Sequence, residues 1–233
     1  MTSIIVAIIP AYNEEKTIGW VVEETKKHVD KVIVVDDFSR DDTEKLARKA
    51  GASVIRHSFN KGLGSSLRDG FKAGLKAKAD IIITLDGDGQ HNPHEIPKFI
   101  KAIERGNDFV LGERDLSKYP FVKKFGNFFL NFATNFISGT NVKDTESGFR
   151  AFRASALRKF YLKSERYEIA VEIIFEVGKN YLKTANVPIE VPIYIKGVGV
   201  LDGFKNFAFL LHRRERTWRS YIQDFKYVLK KWL

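Results

Sequence analysis

Two aspartates, Asp86 and Asp88, stand two residues apart in Asp86-Gly87-Asp88-Gly89-Gln90-His91, directly after the apolar run Ile81 to Leu85. Extended backbone there turns both side chains to one side. Two hard oxygen ligands and no sulfur suit Mg²⁺ or Mn²⁺, which keeps waters and completes its shell from substrate phosphates. Two more apolar runs end in carboxylates, Pro10-Ala11-Tyr12-Asn13-Glu14-Glu15 and Asp36-Asp37-Phe38-Ser39. Such a set fits a cation or a polyhydroxylated ligand. An Asp-x-Asp in a glycine-rich turn also fits a solvated loop, so the surrounding elements decide its meaning.

Those elements are short, β-branched apolar runs alternating with amphipathic stretches. The runs are Ser3 to Pro10, Val32 to Asp36, Ser53 to Arg56, Ile81 to Leu85 and Asp108 to Leu111. Helices are expected over Glu15 to His28, Asp41 to Ala50, Leu63 to Ala79 and Pro93 to Arg105, with Ser39 and Asn92 as N-caps. The alternation predicts an α/β domain with a mainly parallel sheet covered on both faces. Ligands of such sheets bind beyond the carboxyl ends of the strands, where the carboxylates lie.

Several classes drop out. The glycine fingerprint of dinucleotide binding is missing after the first strand, where Ala-Tyr-Asn-Glu stands instead, and no Gly-Lys-Ser/Thr phosphate loop exists. Gly62-Leu63-Gly64-Ser65 reads as a glycine-led helix start. The run from Asp86 is not an EF-hand loop, since its sixth residue is His91 and its twelfth Pro97. With no cysteine, disulfide scaffolds, zinc ribbons and thiol nucleophiles are excluded.

The net charge of +10 is unevenly placed: residues 1 to 113 hold 17 Lys and Arg against 18 Asp and Glu, whereas residues 203 to 233 hold 8 against 2. The second half therefore meets an anionic partner, nucleic acid or membrane. Its last segment repeats Trp218, Tyr221, Ile222, Phe225, Val228, Leu229 and Trp232 at helical spacing among basic residues, as an interfacial membrane helix does. Phe125, Phe128, Phe129, Phe132 and Phe136 form a second helical aromatic face, which fits core packing and membrane contact equally. The start lacks a basic n-region, and no run reaches the roughly 18 apolar residues of a spanning helix, so peripheral attachment is expected.

The chain resembles the glycosyltransferase family 2 enzymes, and among them the dolichol-phosphate mannose synthase-like group. The matching stretches are IIPAYNEEKTI from Ile8, VIVVDDFSRDDT from Val32, NKGLGSSLRDGFKAG from Asn60, DIIITLDGDGQHNPHEIP from Asp80 and DTESGFRAF from Asp144, in the family's order. The resemblance implies a GT-A fold over residues 1–202, with residues 203–233 as a basic amphipathic helical tail. It implies a nucleotide-diphospho-sugar donor, a polyprenyl phosphate acceptor and a Mg²⁺ or Mn²⁺ cofactor. Carried over by position, Pro10, Tyr12 and Glu14 line the nucleotide pocket and Asp37 lies near base and ribose. Asp86 and Asp88 are the metal pair, with Gln90 beside the diphosphate. Arg114 is a basic group near the phosphates, and Ser147 and Arg150 belong to the Ser-Gly-Phe-Arg signature of lipid-phosphate sugar synthases. Lys123, Lys124 and Lys196 complete the cations expected at the acceptor phosphate, Lys124 as a point charge where some mannose synthases carry arginine and Lys196 where an Arg-x-x-Gly-x-Ser-Lys segment is absent. GDP-mannose is the first donor expected, with UDP-glucose and UDP-N-acetylglucosamine close behind, because DGDGQH departs from DADLQH.

A phosphate monoester acceptor is already anionic near neutral pH, so positioning cations matter more than a general base. The expected reaction is a single displacement with inversion on the cytoplasmic side of a membrane, by a peripheral enzyme that fits a homo-oligomer presenting several basic helices to one bilayer. Glu168, Glu172 and Glu176 are expected to form a solvated stripe, Asp144 to support the acceptor site, and His91 and His94 to be loop residues. The competing readings are a family 2 transferase acting on a saccharide or protein hydroxyl, which needs a base, and a nucleic-acid-binding module, which leaves the strand-end carboxylates unexplained.

Overall fold

The structure, a computed structural model, describes residues 3–115 and 121–191, with backbone alone for 121–127 and 129. Lys196 and the expected C-terminal helix therefore lie outside the described residues, as do the side chains of Lys123 and Lys124. Seven strands form one sheet: β1 (Ile5–Ala11), β2 (Lys31–Asp36), β3 (Ser53–Arg56), β4 (Ile81–Thr84), β5 (Phe109–Arg114), β6 (Arg150–Arg153) and β7 (Thr184–Ile189), in the order β3-β2-β1-β4-β6-β5-β7. All pairings are parallel except those of β6, which runs antiparallel between β4 and β5. The expected mainly parallel α/β sheet is present, and β6 and β7 are added to the five strands legible in the sequence.

Both faces of the sheet are covered, which is why the central strands β1, β2 and β4 are apolar along most of their length. One face packs Ala7, Ile9, Val34, Ile83 and Val110 against α1 (Ile18–Lys26), α2 (Thr43–Lys49) and α4 (Ile96–Glu104). The other packs Val6, Ile8, Ile82, Phe109 and Phe152 against α3 (Leu63–Lys76) and α7 (Ile169–Lys179). The four-residue α6 (Ala154–Leu157) follows β6, and α5 (Phe121–Ser138) lies on α7. Gly178 permits that approach, since a β-carbon there would sit inside the Ser138 carbonyl.

The glycine-led start of α3 is confirmed and its use is structural: Gly62 holds φ +92°, and the amides of Gly64 and Ser65 donate to the Glu165 carbonyl at 2.8 and 3.2 Å. The first-turn donors of that helix are thus taken by a loop. Asn92 caps as expected, its side chain accepting from the His94 amide. Ser39 does not cap α2; its hydroxyl accepts from the Asn13 amide at 2.9 Å, and the Asp41 carboxylate takes the Thr43 amide. The solvated glutamate stripe is also corrected. Glu172 and Glu176 are buried, because Glu172 accepts from the amides of Lys163 and Ser164 and Glu176 from that of Tyr161. They tie the loop before α7 to its helix.

On α5 the aromatic face divides. Leu130 and Ala133 are buried, while Phe128, Phe132 and Phe136 are 68%, 61% and 45% exposed, which removes core packing as an account of those three rings.

Candidate active site

The carboxyl ends of β1, β2 and β4 bring the acidic segments together at one edge. Beyond β4 the chain turns immediately, so the aspartate pair sits on a tight turn rather than on the extended backbone expected. Thr17 of the α1 entry fixes this turn by donating from its hydroxyl to the Gly87 carbonyl at 2.8 Å. Asp88 Oδ1 accepts from the Gln90 amide at 3.0 Å and its Oδ2 from the Gln90 side chain, so Gln90 orients Asp88. Burial raises the Asp88 carboxyl above its ordinary range, and the neighbouring Asp86 charge adds to this. Glu14 is pushed up to about 7 by burial, with Asp88, Asp41 and Asp86 acting in the same direction and a Thr17 hydrogen bond opposing. Three carboxylates therefore share one electrostatic environment.

Asp86 is held from two sides. Its amide donates to His91 Nδ1 at 3.1 Å, and its carboxylate rests on Gly148, where a β-carbon would come 2.6 Å from Oδ1. His91 is buried against Phe149, whose ring stacks on Phe99 at 4.2 Å. The loop histidine of the sequence reading is thus a positioning residue for Asp86. His94 remains a surface residue, near Glu24 and His28.

The cations cluster with Asp86 and Asp144. Arg150 is 2% exposed; burial lowers its guanidinium to about 10 against the opposing attraction of Asp86 and Asp144. Its terminal nitrogen donates to the Thr145 carbonyl at 3.2 Å, while its Nε and the buried Ser147 hydroxyl have no hydrogen-bond partner among the described residues. Arg114 forks onto Asp144, with Nε to Oδ2 at 2.5 Å and Nη2 to Oδ1 at 2.8 Å. Asp144 is buried and also accepts from the Arg114 amide, the supporting place expected of it.

Pro10 is the penultimate residue of β1, and Tyr12 follows the strand, 43% exposed. Asp37 behaves differently from a ligand-facing group. Its carboxylate turns inward to accept from the amides of Lys61 at 2.7 Å and Gly62 at 2.8 Å, and it meets His57 Nδ1 at 2.7 Å. His57 also approaches Asp69 at 3.3 Å and is itself buried. Asp37 therefore secures the α3 entry. Sequence reasoning missed His57, which stands twenty positions from its partner, and Gly148 as the seat of Asp86. The Ser-Gly-Phe-Arg signature was the available signal for the glycine.

A mainly parallel sheet with an antiparallel strand beside its acidic edge is the GT-A architecture of glycosyltransferases. The chain belongs to glycosyl transferase family 2, which it matches over residues 6–161. It is 37% identical over 89% of its length to the UDP-N-acetylglucosamine–dolichyl-phosphate N-acetylglucosaminyltransferase of Methanococcus voltae, covering 95% of that protein. It is 33% identical over 88% of its length to the dolichol-phosphate mannosyltransferase of Pyrococcus furiosus, covering 61% of that protein. In fold it is similar to glucosyl-3-phosphoglycerate synthase from Mycobacterium tuberculosis in complex with Mn²⁺, UDP and glucosyl-3-phosphoglycerate. The TM-score is 0.70 at 20% identity, over 90% of this chain and 77% of that one. The protein is a glycosyltransferase.

Proposed function

We propose that the protein transfers a sugar from a nucleotide-diphospho-sugar to a polyprenyl phosphate, with inversion at the anomeric carbon. The observation that carries this reading is that Asp86 interacts with two unlike groups, the carboxylates Glu14 and Asp88 and the cation-bearing cluster of Arg150, Asp144 and Arg114. An anionic donor reaches the first group through a cation, and an anionic acceptor meets the second.

Asp86 and Asp88 are the residues to hold Mg²⁺ or Mn²⁺. Their fit rests on oxygen-only donors, on an Asp86 side chain 42% exposed at the turn, and on an Asp88 carboxyl raised by burial beside another negative charge. When bound, the ion supplies charge neutralisation for the departing diphosphate. Gln90 keeps Asp88 directed, and His91 and Gly148 keep Asp86 in place. Arg114 is oriented by Asp144, and Arg150 brings a buried positive charge to the Asp86 side of the site. Tyr12 and Pro10 border the nucleotide side. Lys123, Lys124 and Lys196 are assigned to the acceptor phosphate on their sequence positions.

Phe128, Phe132 and Phe136 give α5 an aromatic outer face suited to the lipid surface at which a polyprenyl acceptor resides, and the basic tail from residue 203 adds charge attraction. Among the described residues no helix is long and apolar enough to cross a membrane. The donor is read as UDP-N-acetylglucosamine or GDP-mannose, the two sugars being named for the relatives in Methanococcus voltae and Pyrococcus furiosus.

The test is incubation with radiolabelled GDP- and UDP-sugars, dolichyl phosphate and Mg²⁺ or Mn²⁺, with label counted in the organic phase. One sugar is expected to move, and Asp88→Ala to stop it. Transfer that persists in the variant overturns the metal role, and a retained anomeric configuration by NMR overturns inversion.

A further inference from the structure

Four residues other than glycine hold a positive φ among the described residues: Asn13, Phe38, Lys78 and Tyr181. Three have ordinary reasons. Lys78 and Tyr181 each follow the C-cap of a helix, where the next amide closes on the preceding turn, Ala79 to the Gly74 carbonyl and Leu182 to that of Val177. Asparagine tolerates the left-handed region. Phe38, at φ +67°, has neither excuse. A bulky side chain there is an outlier that persists only where its surroundings over-determine it.

The surroundings do so. On one side the Asp37 amide donates to the Ala11 carbonyl at 2.9 Å; on the other the Ser39 amide donates to Asp36 Oδ1 at 3.0 Å. Ser39 in turn receives the Asn13 amide, and Arg40 donates to Asn13 Oδ1 at 2.8 Å. The turn demands a left-handed residue, which glycine or asparagine supplies without strain. Core packing does not explain the aromatic ring, since Phe38 is 40% exposed. The ring is nevertheless fixed: the Arg56 guanidinium lies 5.9 Å from its centroid, and Arg56 is itself held by Asp36, Glu44 and the Ser39 carbonyl. A cation backs the ring while much of it stays open to solvent. Its place is the carboxyl end of β2, beside the end of β1, where Ala11 pairs with Asp36 and the exposed Tyr12 follows.

We propose that Phe38 is a stacking platform for the nucleobase of the donor. The inference rests on the reading of the protein as a nucleotide-sugar enzyme and adds a specific contact to it. A held, cation-backed aromatic plane at the ligand-binding edge binds a π-face at little ordering cost, and stacking of this kind tolerates uracil and guanine alike.

The test uses the full chain with Mn²⁺ and measures affinity for UDP, GDP and inorganic pyrophosphate by calorimetry, in the natural protein, Phe38→Asn and Phe38→Trp. Phe38→Asn is expected to weaken UDP or GDP binding roughly tenfold, to leave pyrophosphate unchanged, and to raise the melting temperature by about 2 °C or more as the strain is relieved. Phe38→Trp is expected to retain nucleotide affinity. Unchanged nucleotide affinity in Phe38→Asn, or an equal loss for pyrophosphate, overturns the stacking role while leaving the transferase reading intact. Failure of the natural protein to bind either nucleotide overturns both.

Discussion

Asp86 and Gly148 are in contact: a β-carbon built on the glycine would lie 2.6 and 2.7 Å from the two carboxylate oxygens of the aspartate. The strand pairing makes this contact obligatory. Gly148 stands two residues before β6, its carbonyl accepts from the Thr84 hydroxyl at 2.8 Å, and Thr84 pairs with Arg150 in the ladder. Neither backbone can retreat, so the carboxylate must. Gly148→Ala is expected to displace Asp86 and lower sugar transfer by about 100-fold or more, as misplacement by an ångström does. The thermal transition should change little by comparison. Activity within a few-fold of the natural protein would show that Asp86 has room the structure does not offer.

The Arg114–Asp144 pair separates stability from function. Asp144 is buried, and removing its forked partner leaves the carboxylate with only the residue-114 amide and the attraction of Arg150, so Arg114→Ala is expected to cost about 3 kcal/mol in denaturant unfolding. Replacing both residues, as Arg114→Met with Asp144→Leu, is expected to recover most of that loss. Transfer to polyprenyl phosphate should stay low in the double variant, with the defect in the acceptor's KM. Recovery of transfer together with stability would reduce the pair to a structural role.

How much of this site could be read from the chain depends on how local each signal is. The apolar runs that became β1 to β4 were legible because a parallel strand buried on both faces is apolar along its whole length. Strand β6 was not, since Arg150-Ala151-Phe152-Arg153 carries a cation at each end. Those cations are accommodated by carbonyls that the strand pattern does not announce, Arg153 by that of Ile103, fifty positions away, and Arg150 by that of Thr145 in the preceding loop. Glu172 and Glu176 had the spacing of a solvated helix face, and the amides of the loop that folds back before α7 explain their burial. Asp37 was legible as a strand-end carboxylate, but its inward direction depends on His57 and the Lys61 and Gly62 amides. Residue types marked the edge of the sheet that carries the candidate site; which of its groups turn inward was decided by tertiary hydrogen bonds.

Glu14 gives the protein a pH-dependent cost. Its carboxyl titrates near its ordinary 4.5 in the unfolded chain and at about 7 when folded, because burial and the Asp88 charge oppose ionisation. Between those values the folded state holds a proton that the unfolded state has lost, so stability falls as pH rises from about 4.5 to 7 and stays reduced above. Glu14→Gln removes the cost. Without divalent ions it is expected to be more stable than the natural protein at pH 8, by on the order of 1 kcal/mol once solvent screening of this partly exposed group is allowed for. The difference should close toward pH 4.5. Thermal melts across that range decide it, and a difference that widens on acidification reverses the assignment.

The exposed aromatic face of α5 is expected to be where the protein meets lipid. Phe132 and Phe136 stack at 6.2 Å between centroids, and with Phe128 they line the side of the helix opposite the buried Leu130 and Ala133. Burying part of each ring in a bilayer is worth on the order of 1 kcal/mol. Changing Phe128, Phe132 and Phe136 together to serine should therefore reduce sedimentation with anionic liposomes at least about tenfold, while leaving the melting temperature unchanged or raised. Deleting residues 214–233 should lower binding separately and make what remains less sensitive to salt, because that segment contributes basic charge. A triple variant that melts lower and still sediments would mean that another part of the protein covers these rings, and that the basic segment alone carries the attachment.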